Sequence, residues 1–303
     1  MAYRRKPTVQ PGVTVIAMIT NFPSRNGWKE APINVEFHAG ALEGCEQRGY
    51  RLETFWLREP GMTARRLSNI LFHRNIGGLL IAPLPSSRGH MRLDWEKFAS
   101  VALGYSLAWP ALHRAVNHQF RSMQLALRKL RKLGYRRPGL ALKASYDQRS
   151  DHNFVGSFLL EQQREGHDHL PVHVPPDKEW NFDSFQRWVR RSRPEAIITQ
   201  HEEVLDWLHT MKLNVPSDMG LVHLNCPKGD PQWSGIIQNA SAVGALAIEH
   251  IVAMLQRNER GIPRLPHYLL VEGSWRDGET IRTDALKRKE GRATLRRQLV
   301  AVR

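Results

Sequence analysis

Short apolar, β-branched runs alternate with longer stretches of helical periodicity along the whole chain. Val13–Ile19 is continuous and apolar, as a strand covered on both faces must be. Over 34–48 the apolar residues Val35, Ala39, Leu42 and Cys45 fall at helical spacing, and Gly49 stops the run. The spacing then predicts a strand at 50–57, a helix at 63–72 with Thr63 as its N-cap, and strands at 77–81 and 99–103. Further on it predicts helices at 120–133, 153–165, 183–190, 204–211 and 242–255. Strands are predicted at 139–142, 172–174, 196–199, 221–224 and 267–272. No internal repeat or low-complexity stretch interrupts this order.

Alternation of strand and helix predicts parallel sheets with helices on both faces. About a dozen such units exceed one small sheet, so the expected fold is α/β, with two Rossmann-like lobes joined by a hinge. The expected division is an N-terminal linker over 1–12, one lobe from 13–117 plus 236–262, a second from 118–235 plus 263–284, and a basic tail over 285–303. In such folds ligands bind at the carboxyl ends of the strands, so a cleft between the lobes is the expected binding place.

Charge changes this picture little. Lys and Arg number 44 against 29 Asp and Glu, a net +15. The ends 1–6 and 285–303 carry +9 of it, leaving +6 for the residues between. Solvated basic ends explain this more simply than a phosphate-binding surface. No run of about 18 apolar residues exists to span a membrane. Two cysteines, Cys45 and Cys226, build neither a disulfide framework nor a four-ligand zinc site. The basic Met1–Lys6 and the short apolar stretch after it lack a signal-peptide cleavage site, and a cytoplasmic protein is expected.

Enzyme motifs are missing. There is no G-x-G-x-x-G after a strand, no Walker A, no H-E-x-x-H and no G-x-S-x-G. His167, His169 and His173 would have to converge from unlike elements to hold a metal. Cys226 beside His223 lacks a third group to position a thiolate pair. Glu202 and Glu203 sit at a helix start, where the dipole favours them without catalysis. No catalytic residue, metal or cofactor is expected. Residues at predicted strand ends are more informative: Asn21 and Phe22, then Arg149, Asp151 and Asn153, then Trp180, then Gln200, His201 and Glu202, then Asn225. Amides, carboxylates and a guanidinium beside aromatic rings match a polyhydroxylated ligand, whose vicinal hydroxyls take paired hydrogen bonds and whose apolar face takes a ring.

Three stretches carry a family resemblance. Ile236-Ile237-Gln238 is followed by Gly244, a long helix, Gly261-Ile262-Pro263 and a strand with Val271-Glu272. Leu133-Gly134-Tyr135-Arg136-Arg137 and Pro216–Val222 each precede a predicted strand. In order and spacing the chain, from about Thr14 to Thr283, resembles the effector-binding core of LacI/GalR-type transcription regulators. The resemblance implies a sugar-like effector bound by Asn21, Phe22, Arg149, Asn153, Trp180, His201, Glu202, Asn225 and Gln238, with Trp180 as a stacking ring. It implies a homodimer whose lobes close on the effector and so control transcription. Pocket chemistry departs from the family's usual residues: His118-Gln119 replaces Asp-Asn, Asn153 replaces an arginine for which Arg149 is a substitute, His201-Glu202 replaces Asn-Asp, and Asn225 replaces an acid. Operator DNA is contacted in that family through an amino-terminal helix-turn-helix, which Met1–Lys6 is too short to form. The alternatives are a solute-binding protein for sugar uptake, which needs an export signal, and an enzyme on a doubly wound fold, which needs a nucleophile or cofactor motif.

Overall fold

The chain divides into two compact units, residues 1–117 with 240–271, and residues 118–239 with 272–303. A computed structural model describes residues 14–165 and 172–282. The expected linker over 1–12 and tail over 285–303, and His167 and His169, lie outside the described residues.

The first unit runs β1 (Thr14–Thr20), α1 (Pro32–Glu46), β2 (Tyr50–Trp56), α2 (Ala64–His73), β3 (Gly78–Ile81), β4 (Gly89–His90), β5 (Ala99–Leu103), β6 (Leu107–Trp109) and β7 (His113–Asn117). The second unit follows with α3 (Gln119–Lys132), β8 (Pro138–Ala141), α4 (Ala144–Arg149), α5 (Asn153–Glu165), α6 (Phe182–Ser192), β9 (Ala196–Thr199), α7 (Glu203–Thr210), β10 (Gly220–His223) and β11 (Gly235–Ile237). The chain then returns to the first unit for α8 (Ala240–Gln256) and β12 (Tyr268–Val271), and ends in the second with β13 (Ser274–Arg276).

The first sheet has the order β12-β7-β5-β3-β1-β2, and every neighbouring pair is parallel. Its centre is buried on both faces, which is why Val13–Ile19 reads as continuous rather than alternating. Ile16 and Met18 point into a cluster with Phe37, Ile248 and Ile251, on the side of α1 and α8. Ala17 and Ile19 point into another with Leu67, Leu71, Trp95 and Phe98, on the side of α2. Thr63 caps α2 by accepting the Arg66 amide N–H at 3.1 Å, which satisfies one of the helix's orphan donors.

Helices α1 and α8 meet backbone to backbone. A Cβ at Gly40 would lie 1.8 Å from the Ser241 carbonyl oxygen, and one at Gly244 would lie 2.0 Å from that of Phe37. Only glycine allows this approach, which is the physical content of Gly244 in the motif that follows Gln238.

The second sheet has the order β8-β9-β10-β11-β13, with β13 antiparallel to β11 and the rest parallel. Its faces are covered alike, by α3 and α5 through Met123, Leu127, Phe154 and Phe158 and by α6 and α7 through Phe185, Trp188, Val204 and Leu208.

Several expectations need correction. Residues 236–239 belong to the second unit, because β11 pairs with β10 and β13. Residues 263–271 belong to the first, because β12 pairs with β7. The predicted strand at 172–174 is a single parallel bridge, His173 to Ala141; Pro175 and Pro176 withhold the donors that would extend it. The six-residue helix α4, the strand β7 and the antiparallel β13 were not foreseen.

Gly244→Ala is expected to destabilise the protein by about 3 kcal/mol or more, since the added methyl must push two helix backbones apart. Urea denaturation of the variant checks this.

Candidate functional site

Each sheet has a switch point, where neighbouring strands leave in opposite directions and the carboxyl ends are open to a ligand. In the first unit β1 lies between β2 and β3, and Asn21 and Phe22 follow its carboxyl end. The Asn21 Oδ1 accepts from Arg58 Nε at 3.0 Å. The Phe22 carbonyl accepts from the Trp56 indole N–H at 2.8 Å, and its ring packs on the core.

In the second unit β8 lies between β9 and the His173 bridge. The residues past its end, and past β9, form a hydrogen-bonded group. The Lys143 amide N–H donates to His201 Nε2 at 3.0 Å. Lys143 Nζ lies 3.1 Å from Glu203 Oε1, which also accepts the Trp180 indole N–H at 3.0 Å. The Ser145 amide N–H donates to Asp177 Oδ1 at 3.0 Å. Aromatic rings enclose this polar set: Trp180 lies 4.6 Å from His201 and 5.3 Å from Trp207, and His173 lies 5.3 Å from Trp188, centre to centre.

The charges follow from burial and pairing. Burial pushes His201 down to about 4, with Glu203 opposing and Lys143 assisting, so at neutral pH it is an uncharged acceptor for the Lys143 amide. Glu203 pays a burial penalty but is held below the usual carboxylate range by its own backbone N–H, Trp180, Lys143 and His201. Asp177 is lowered chiefly by its hydrogen bonds with Ser145.

A second group forms at the ends of α4 and β11. The Tyr146 hydroxyl shares a hydrogen bond with the side chain of Gln238. Burial lowers Arg149, with Tyr146 opposing, and raises Tyr146, with Gln238 and Arg149 opposing. Gln238 is itself buried, and its Nε2 donates to the Leu224 carbonyl at 2.9 Å.

The residues expected from the sequence thus separate. Trp180 and His201 share one group, Arg149 and Gln238 the other. Tyr146 links them by an edge-on contact with His201 at 5.9 Å. Asn225 is half-buried past the end of β10, and its amide N–H donates to His223 Nδ1 at 3.1 Å. Asn153 is not gathered in: its Nδ2 donates to the Ser150 carbonyl at 2.8 Å, closing the turn before α5. Glu202 is exposed. Trp180 is only 8% exposed and packs as a wall, because its ring is crowded by His201, His173 and Trp207. Lys143, Tyr146, Asp177 and Glu203 were missed. Lys143 and Tyr146 were within reach of the strand-end rule; Glu203 had been read as a helix-start carboxylate. In the His223–Cys226 pair burial raises the Cys226 thiol to about 11, and Sγ faces the carbonyls of His223 and Trp233, as a packed cysteine does.

Residues 127–278, half of the chain, match the family described as the periplasmic binding protein-like domain. The chain belongs to this family. Solved structures of this periplasmic-binding-protein-like fold extend the likeness over most of its length. A complex of the transcriptional regulator CelR with cellobiose is 16% identical, covering 88% of this chain and 84% of that one, with a TM-score of 0.65. The LacI-family regulator CCPA from Weissella paramesenteroides, with bound glucose, is 12% identical over 88% and 98%, with a TM-score of 0.60. The lac repressor dimer bound to operator and the anti-inducer ONPF is 13% identical over 90% and 96%, with a TM-score of 0.62. These likenesses carry the fold: α/β with parallel sheets, as in LacI-type effector-binding cores. No curated relative matches the sequence. Among the described residues no helix is long and apolar enough to cross a membrane.

Burial holds His173, His201 and His223 each down to about 4. Between about pH 6.5 and 4 the unfolded chain therefore binds more protons at these sites than the folded protein, and stability falls as pH falls through that window. His223, 2% exposed, contributes at most about 3 kcal/mol of the change. Urea titrations at pH 7, 5.5 and 4.5 should show the decline, with a shallower slope in His223→Gln.

Proposed function

We propose that the chain is the sensing core of a LacI-type transcription regulator that binds a sugar or sugar-like effector on the strand ends described above. Binding without transformation is the reading, since the gathered side chains are directed hydrogen-bond donors and acceptors of the kind that recognise hydroxyl groups. The supporting observation is the group of Arg149, Tyr146 and Gln238 at the ends of α4 and β11. A half-buried guanidinium, a phenol and an amide offer directed donors and acceptors for hydroxyl groups. The neighbouring Lys143–Glu203 pair and neutral His201 add polar contacts with little net charge, which suits an uncharged guest. Asn225 and, from the first unit, Asn21 and Phe22 complete the proposed effector set. Trp180 serves as the wall that fixes His201 and Glu203.

Closure of the lobes on the effector is proposed as the step that couples binding to transcription, and it requires the effector to bind the closed state more tightly than the open one. The bound cellobiose and glucose of the two regulators above favour a sugar over other small polar ligands. A homodimer is part of the proposal, because the coupling needs paired cores. A solute-binding protein for sugar uptake is the second reading, favoured by the family description itself; it predicts a monomer.

Calorimetric titration with glucose, ribose and cellobiose should find at least one ligand. Arg149→Met should weaken it about 10- to 100-fold, the range for a hydrogen bond to a charged group, while Asn153→Ala changes affinity less than about twofold. No heat with any sugar, or equal affinity in Arg149→Met, contradicts the reading. Light scattering should give twice the 34.8 kDa chain mass; a monomer favours the transport reading.

A further inference from the structure

We propose that His113, His250 and His267 form a binding site for one borderline transition-metal ion such as Zn2+. The three come from separate elements of the first unit. His113 opens β7, His250 lies on α8, and His267 directly precedes β12. One ring nitrogen from each lies within 4.8 Å of the others. Ring centres stand 4.9 Å apart for His113 and His250, 4.8 Å for His113 and His267, and 6.4 Å for His250 and His267. Two imidazoles on one tetrahedral ion, with bonds of about 2.0–2.1 Å, have ring centres about 5 Å apart. Two of the three ring spacings match this, and the ligating nitrogens, now within 4.8 Å of one another, must draw in to about 3.4 Å on the ion. The third closes by rotation of His267, whose side chain is exposed.

Packing alone does not explain the group. The His250 Nε2 is buried and has no hydrogen-bond partner among the described residues, and leaving such an atom unpaired is costly. An ion supplies the missing partner. The His113 Nδ1 accepts the His267 amide N–H at 3.0 Å, so the neutral ring carries its proton on Nε2, and an ion bound at Nδ1 displaces that amide bond. Burial, aided by the neighbouring histidines and Arg257 and opposed by Glu259, holds His113 at about 4. His250 is lowered likewise, by burial first. Both are therefore uncharged ligands at neutral pH. Arg257 and Glu259 beside them are paired with each other at 2.6 and 2.8 Å.

Three neutral imidazoles select Zn2+, Co2+, Ni2+ or Cu2+ over Mg2+ and Ca2+, which want oxygen ligands. Because the sheet is parallel throughout, the cluster marks the amino ends of β7 and β12. Asn21 and Phe22 follow the carboxyl end of β1, at the opposite edge. The site is thus independent of the effector reading and stands or falls without it.

The test uses the full chain, stripped with a chelator and then freed of it. Calorimetric titration with Zn2+ should show one ion per chain and a raised Tm, and Co2+ should give visible d–d absorption. His267→Ala removes a ligand but keeps the amide that His113 uses, and should weaken Zn2+ binding at least about 100-fold. His250→Gln should do the same. His209→Ala, an exposed histidine of the second unit, should bind as the unaltered chain does. Absence of a one-to-one site, or undiminished binding in both His267→Ala and His250→Gln, overturns the proposal.

Discussion

The central strands of both sheets are buried on their two faces, and this constraint governs where most of the chemistry appears. A strand covered by helices above and below favours apolar side chains along its length, as Ile16 to Ile19 and Ala196 to Ile198 show, and β7, with Arg114 buried in it, is the exception. Hydrogen-bonding and ionisable groups are then displaced to the places where strands stop. In the second unit that displacement brings Lys143, His201 and Glu203 together at the ends of β8 and β9. Arg149 and Gln238 reach the adjoining group from α4 and the end of β11. The apolar layers are also what depress the histidines: His223 ends a fully buried strand, and burial is the first cause of its shift.

The close approach of α1 and α8 shows how a motif residue is set by packing rather than by ligand. Gly244 and Gly40 leave no space for a Cβ, so the helices lock the long return segment of the chain against the first sheet. Gln238 precedes that segment and has a different reason: its side chain holds the Leu224 carbonyl, and the Tyr146 hydroxyl bonds to it. One sequence pattern thus joins a packing requirement to a polar anchor.

Fold class was legible because hydrophobic periodicity reports burial directly. Continuous runs such as 196–199 announce strands covered on both faces, and the glycines after α1 and α3 mark helix ends. The unit boundaries near 236 and 263 were misplaced because strand partnership, not local pattern, decides which sheet a segment joins. The helix α4 is only six residues long and mixes polar with apolar positions, so it has no periodicity to read. His201 and Arg149 were picked out by their position at strand ends, and Gln238 by the family resemblance. That Asn153 is used up in a turn and Trp180 is walled in depends on neighbours far along the chain. The histidine trio was invisible for the same reason: His113, His250 and His267 are gathered by the pairing of β7 with β12 under α8.

The claim that matters most is the proposed one, that the strand ends of the second sheet beside Arg149 hold a sugar. A crystal structure of the protein soaked in a mixture of glucose, ribose and cellobiose tests it most directly. The account predicts density for one sugar with its hydroxyls within about 3 Å of Arg149 and Asn225. Density for a sugar elsewhere on the molecule, or none at saturating concentration, would contradict it.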